Sequence, residues 1–239
     1  MANRSLSFPN NRIFDHLGNA MFDVTTFDRR KFLKGGVSLS ALALAGCQDA
    51  AYQSASAPDP TVLYQALPEE PYTVRAIAPE EIHPGYYRRE IRNPYDIAPG
   101  TLYVDTSSFY LYYAMPEGRA MRYGVGLGKA GFGWAGQGVI GAKRTWPRWY
   151  PPAEMIAREP RLERWSFENG GHPPGNGNPL GARGLYIYQD GVDTLYRVHS
   201  SPEVMSIGRA VSSGCVRMVH QDIIDLYNRV EIGSPIIVA

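Results

Sequence analysis

Residues 196–218 read YRVHSSPEVMSIGRAVSSGCVRM. A strand-like run, 194–199, ends in His199, and sixteen positions after that histidine comes Cys215, preceded by Gly214 and followed by Val216-Arg217-Met218. A thiol needs a base or a positive neighbour to become nucleophilic near neutral pH, and an imidazole is the usual partner. Two neighbouring strand ends would set His199 beside Cys215. Gly214 lets the backbone approach a ligand closely, and N–H groups around Gly214 and Cys215 suit a developing oxyanion. Arg217 is two residues beyond Cys215, so in a strand it shares the cysteine's face and suits a substrate carboxylate. Lone cysteines are also commonly buried and inert, and lone histidines commonly satisfied polar groups. From these residues alone both readings stand.

Outward from this stretch the chain reads as short strands. Runs at 102–104, 109–114, 119–127, 139–143 and 185–188 are rich in aromatic and β-branched residues. Asp105-Thr106-Ser107-Ser108 and Asp190-Gly191 read as hairpin turns. A helix is predicted from near Gln221, with Ile223, Ile224, Leu226, Tyr227 and Val230 on one face. Gly233 and Pro235 end it, and 235–238 returns as a last strand. The expectation is a mainly β domain, a sandwich or partly open barrel, with a C-terminal helix. Between the strands, 145–180 is long, irregular and rich in Trp and Pro. It predicts a lid or groove wall over the active site, with a short helix at 153–158.

The N-terminal region reads as an address. Residues 26–47 are TFDRRKFLKGGVSLSALALAGC. The twin arginine Arg29-Arg30 and Lys31 precede an apolar run, 35–45, that is too short to span a bilayer, which takes roughly 20 residues. The segment resembles a twin-arginine export signal. Its end, Leu44-Ala45-Gly46-Cys47, resembles a lipobox, in which Cys47 becomes the lipidated first residue of the mature chain. Several acyl chains give stable anchoring. Gln48 follows the cysteine, which favours the outer membrane over the inner one. The expected organisation is an export signal at 1–46, a flexible tether at 47–60, an arm at 61–99 anchored by Tyr86-Tyr87, and a catalytic domain at 100–239.

Composition narrows the function. The chain has 239 residues, 44% hydrophobic and 20% charged, with a net charge of +1. A disordered polymer is excluded, and no charge excess points to nucleic acid. Cleavage before Cys47 removes six of 24 basic and three of 23 acidic residues, leaving a net charge of −2. Two cysteines exclude a disulfide framework. With Cys47 lipidated, Cys215 is a lone thiol in an oxidising compartment, which marks it as reactive. Cys215, His199 and His172 lack zinc-ligand spacing, so neither metal nor cofactor is expected. The oligomeric state is not set by any of these features.

The region 100–239 resembles the L,D-transpeptidase catalytic domain (YkuD-type) family. The resemblance rests on His199-Ser200-Ser201, the fifteen intervening residues, and Ser212-Ser213-Gly214-Cys215-Val216-Arg217-Met218. Asn178-Pro179-Leu180-Gly181, Ile207-Gly208 and the run 222–227 also look like family positions. The resemblance implies that Cys215 is the nucleophile and His199 the base. It implies that Ser200 occupies the position whose carbonyl orients the imidazole, and that Gly214 and Cys215 supply the oxyanion hole. Arg217 matches a residue of the substrate site, and Ser213 stands where many members have a second histidine. The implied reaction is acyl transfer from a peptidoglycan tetrapeptide stem, with loss of D-alanine, to an amine, in the periplasm and from a lipid anchor. A thiol hydrolase using the same residues is an alternative, as is an inactive lipid-anchored wall-binding protein; the intact Cys/His pair speaks against the latter.

Overall fold

The computed structural model describes residues 59–129, 134–212 and 214–239. The export signal, Cys47 and Ser213 lie outside the described residues. The elements in chain order are α1 (Pro60–Leu63), β1 (Arg89–Arg92), β2 (Leu102–Asp105), β3 (Tyr110–Met115), β4 (Arg119–Gly124), β5 (Leu127–Gly128) and β6 (Gly136–Thr145). Then come α2 (Ala153–Arg158), β7 (Arg183–Gln189), β8 (Val192–Ser200), β9 (Ala210–Ser212), β10 (Val216–Met218), α3 (His220–Arg229) and β11 (Pro235–Val238).

Nine strands form one mixed sheet in the order β1-β4-β3-β2-β11-β6-β7-β8-β10, and β5 pairs with β9 in a second, two-stranded sheet. Two pairings in the large sheet, β11 with β2 and β10 with β8, are parallel. Local chemistry sets the hairpins. The Asp105 carboxylate accepts the N–H groups of Ser107 and Ser108, an Asx turn between β2 and β3. Asp190 and Gly191 both have positive φ, at 51° and 79°. That backbone matches the twist of the flanking strands β7 and β8.

The sheet is not a closed barrel, but it curls. Gly126, two residues past β4, exchanges both backbone hydrogen bonds with Arg217 of β10, at 2.7 and 2.8 Å. This bridge interrupts the strand predicted over 119–127. The chain leaves β4 at Gly124 to meet β10 and β9 instead of continuing along β3.

Inside the curl, Leu102, Val104, Leu111, Tyr123, Ile140, Leu185 and Val198 meet Ile223 and Leu226 of α3 and Val230, which caps it. Burying each such aliphatic side chain is worth about 1.5–3 kcal/mol. Lys143 of β6 donates its ammonium to the carbonyls of Tyr227 and Val230. A cation there satisfies helix-end acceptors and complements the dipole.

Residues 64–92 wrap this body. Gln221, at the start of α3, donates to the carbonyls of Gln65 and Arg75. Tyr64 donates to Asp222 and accepts the N–H of Arg88. A Cβ at Gly124 or Gly208 would come within 2.5 Å of Tyr86, so Gly124 admits that residue's backbone and Cβ and Gly208 admits its ring. β1 adds an edge strand by pairing with β4.

Candidate active site

The site is built where β8 and β10 run side by side. Their parallel register sets Val216 opposite Val198, Arg217 opposite His199, and Met218 opposite Ser200. Cys215, one residue before β10, therefore arrives beside Arg197, whose backbone N–H reaches the sulfur. His199 and Arg197 alternate along β8 as Arg217 and Cys215 do along β10, so the four residues belong to one patch of sheet.

His199 is buried, at 6% exposure. Its Nδ1 lies 2.6 Å from the backbone oxygen of Ser200. A carbonyl can only accept, so Nδ1 carries the hydrogen and Nε2 keeps its lone pair. Burial pushes the imidazole pKa down to about 4, and the guanidinium charges of Arg217 and Arg197 push the same way. The Cys215 thiol is pushed up, chiefly by burial, against the opposing pull of the Arg197 N–H and the same two guanidinium groups. At neutral pH the resting pair is thus a thiol and a neutral imidazole.

The Ser200 hydroxyl has a structural task of its own. It accepts the N–H of Ala182 at 2.6 Å and donates to the carbonyl of Leu180 at 3.1 Å. It thereby ties the end of the long loop to the histidine strand. Asn178, fully buried, holds the same loop: its amide donates to the carbonyls of Pro147, His172 and Pro173, and its oxygen accepts the N–H of Leu180. The turn into Cys215 is ordered by Ser212, whose hydroxyl donates to the Cys215 carbonyl at 2.7 Å.

Gly214 has φ 133°, a backbone that favours glycine. Its N–H donates to Ser212 Oγ at 3.2 Å. The donor expected of Gly214 therefore faces the turn, and the N–H of Cys215 is the remaining oxyanion candidate of the two. Arg217 differs from expectation as well. Its guanidinium pairs with Glu203 at 2.6 Å, and it does not line the cavity that holds the thiol.

That cavity has a volume of about 660 Å³. Cys215, Arg197, Leu195 and Tyr186 form one side, and Trp149, Met155 and neighbours from the long loop, including α2, form the other. The long loop is therefore a wall of the thiol's cavity. His172 lies tilted against Trp165, with ring centres 4.5 Å apart, and is not among the cavity's lining residues. Arg197, Ser212 and Asn178 were missed as site residues. Asn178 and Ser212 each left a trace in the sequence, within runs that resemble the family's.

The L,D-transpeptidase catalytic domain family (YkuD) matches residues 99–238. Among curated proteins, the chain is similar to the probable L,D-transpeptidase YbiS of Escherichia coli K12. They are 29% identical over 154 residues, covering 58% of this chain and 45% of that protein. It is also similar to the putative L,D-transpeptidase YqjB of Bacillus subtilis, 31% identical over 83 residues, covering 34% and 45%. Of the solved structures, one from Brucella melitensis, described as a probable carnitine operon oxidoreductase, is 38% identical. It covers 64% of this chain and 92% of that one, with a TM-score of 0.46. An L,D-transpeptidase from Mycobacterium smegmatis is 22% identical, covering 58% of each chain, with a TM-score of 0.42. Both TM-scores lie below 0.5, so neither likeness bears on activity. The chain spans less than half the length of the curated relatives named here.

Proposed function

The chain belongs to the L,D-transpeptidase catalytic domain family, and from that premise we propose that it is a cysteine acyltransferase acting on peptidoglycan stem peptides. The observation that supports this most is the parallel pairing of β8 with β10, which brings Cys215 to the strand of His199 at the edge of a substrate-sized cavity.

In the proposed reaction His199 Nε2 takes the thiol proton as Cys215 Sγ attacks the carbonyl of the third stem residue. The N–H of Cys215 faces the developing oxyanion. The C–N bond then breaks, the imidazolium returns its proton to the leaving D-alanine amine, and a thioester remains. An acceptor amine attacks that thioester and loses its proton to His199. The C–S bond breaks, and the thiolate recovers the proton. With the side-chain amine of another stem as acceptor, the product is a 3→3 crosslink. The export signal and a lipid on Cys47 complete the proposal and would hold the enzyme in the periplasm.

The test is product analysis with a disaccharide-tetrapeptide. Release of D-alanine together with a crosslinked dimer is the expected result. D-alanine release with water as the acceptor would make the enzyme a hydrolase. No release of D-alanine would overturn the assignment.

A further inference from the structure

β8 is not a regular strand. Its pairing with β7 shifts register between Tyr186 and Tyr188, and Leu195 sits at φ 64°, 61% exposed, on the cavity rim. A non-glycine residue in that region is strained, and bulges of this kind re-aim neighbouring side chains. Asp193 secures the bulge: its Oδ1 accepts the N–H of Leu195 at 2.8 Å. The same carboxylate grips the end of the Arg197 guanidinium, with Nη1 and Nη2 at 2.7 and 2.9 Å. The guanidinium also lies over the Tyr186 ring, 4.2 Å from its centre.

One edge of Arg197 is held by Asp193, and the guanidinium also hydrogen-bonds the Tyr186 hydroxyl. Nη1 is spent on Asp193 and the Tyr196 carbonyl, and Nη2 gives one hydrogen to Asp193. Among the described residues no carboxylate or carbonyl is recorded on the Nε–Nη2 edge, a fork that matches a carboxylate. Arg148 and Arg158 line the same cavity, against one acid, Glu154. Arg217, by contrast, is committed to Glu203.

We infer that Arg197, held by Asp193, is the specificity-determining residue that binds the free carboxylate of the donor peptide, one residue beyond the scissile carbonyl. This rests on the acyltransfer reading above. A carboxylate on that fork would bring the adjacent carbonyl toward the sulfur, which Arg197's own N–H already contacts.

The experiment uses the full chain and two tetrapeptide donors, identical except that one ends in D-alanine carboxylate and the other in D-alanine amide. Acylation of Cys215 is followed by intact mass. Wild type is expected to favour the acid by at least about tenfold in kcat/KM, mostly through KM. Arg197→Gln should lower kcat/KM for the acid donor until it matches that for the amide donor, with Arg197→Lys between. Asp193→Asn, which keeps the arginine but frees it, should also lose the preference. Wild type that acylates with both donors equally would overturn the inference while leaving the acyltransfer reading intact, and it needs no variant to fold. Equal loss on both donors in Arg197→Gln would make Arg197 structural and would overturn it too. No acylation of wild type by either donor, with a thiol that alkylates, would overturn both.

Discussion

The backbone oxygen of Ser200 stands 2.6 Å from Nδ1 of the residue before it, His199. The carbonyl that orients the imidazole thus comes from the histidine's own strand, and it stays in place only while that strand's end is fixed. The Ser200 hydroxyl fixes it, through Ala182 and Leu180.

Ser200→Ala would therefore leave a buried N–H and a buried carbonyl without this partner. Thermal or urea unfolding should show a loss of about 1–3 kcal/mol. The acylation rate should fall further than stability alone requires, because the loop end and the imidazole are tied to the same hydroxyl. An unchanged rate with lowered stability would separate the two roles.

Alkylation by iodoacetamide reads the thiol directly. Burial raises the Cys215 pKa, so at pH 7 the folded protein should react more slowly than free cysteine. The rate should climb about tenfold per pH unit to above pH 9. Enzymatic acylation should behave differently. It uses the neutral imidazole, whose pKa burial lowers to about 4, so its acid limb should fall near pH 4. A thiolate plateau already present at pH 6 would contradict this picture.

Stability should also depend on pH, with opposite signs from two groups. His199 and His220 are both lowered to about 4, chiefly by burial. The unfolded chain then binds more protons between pH 6.5 and 4, so their contribution is complete above about 6.5 and is lost as pH falls toward 4. Asp222 is raised to about 7 by burial, which Arg88 only partly offsets. Its contribution is complete at low pH and is lost as pH rises through 7. A Tm maximum between these limits is expected, and Asp222→Asn should flatten the alkaline side. A Tm of wild type that is level from pH 5 to 8 would be inconsistent with both.

Gly128 and Gly214 touch backbone to backbone. A Cβ on Gly128 would lie 2.8 Å from the Gly214 Cα. Gly128→Ala should therefore push the turn that carries Cys215 and reduce acylation by at least about tenfold, measured against alkylation of the same thiol. An alanine tolerated at full activity would mean that this turn can shift without consequence.

Much of this arrangement was legible beforehand. The Asp190-Gly191 turn, the helix face of Ile223, Leu226 and Val230, and the His199–Cys215 spacing all follow from local pattern, and each is local in the fold. What was not legible depends on pairings between distant segments. β1 is four residues long and three of them are charged, so nothing but its partner β4 marks it as a strand. The break after Gly124 comes from Gly126 meeting Arg217. Arg197 is not legible in the sequence because its place depends on the β8–β10 register and on the bulge at Leu195, neither of which alternation predicts. Its spacing from Cys215 assigns Arg217 to the substrate, whereas in the structure its guanidinium pairs with Glu203.

The central claim is that the Cys215 sulfur forms a thioester with the stem peptide. The most direct measurement is intact-mass analysis of the full chain, wild type and Cys215→Ala, mixed with a disaccharide-tetrapeptide. The account predicts a mass gain equal to the donor minus D-alanine, located on Cys215 in wild type and absent from the variant. D-alanine release retained in Cys215→Ala, or a wild-type thiol that alkylates yet never acquires the adduct, would contradict it.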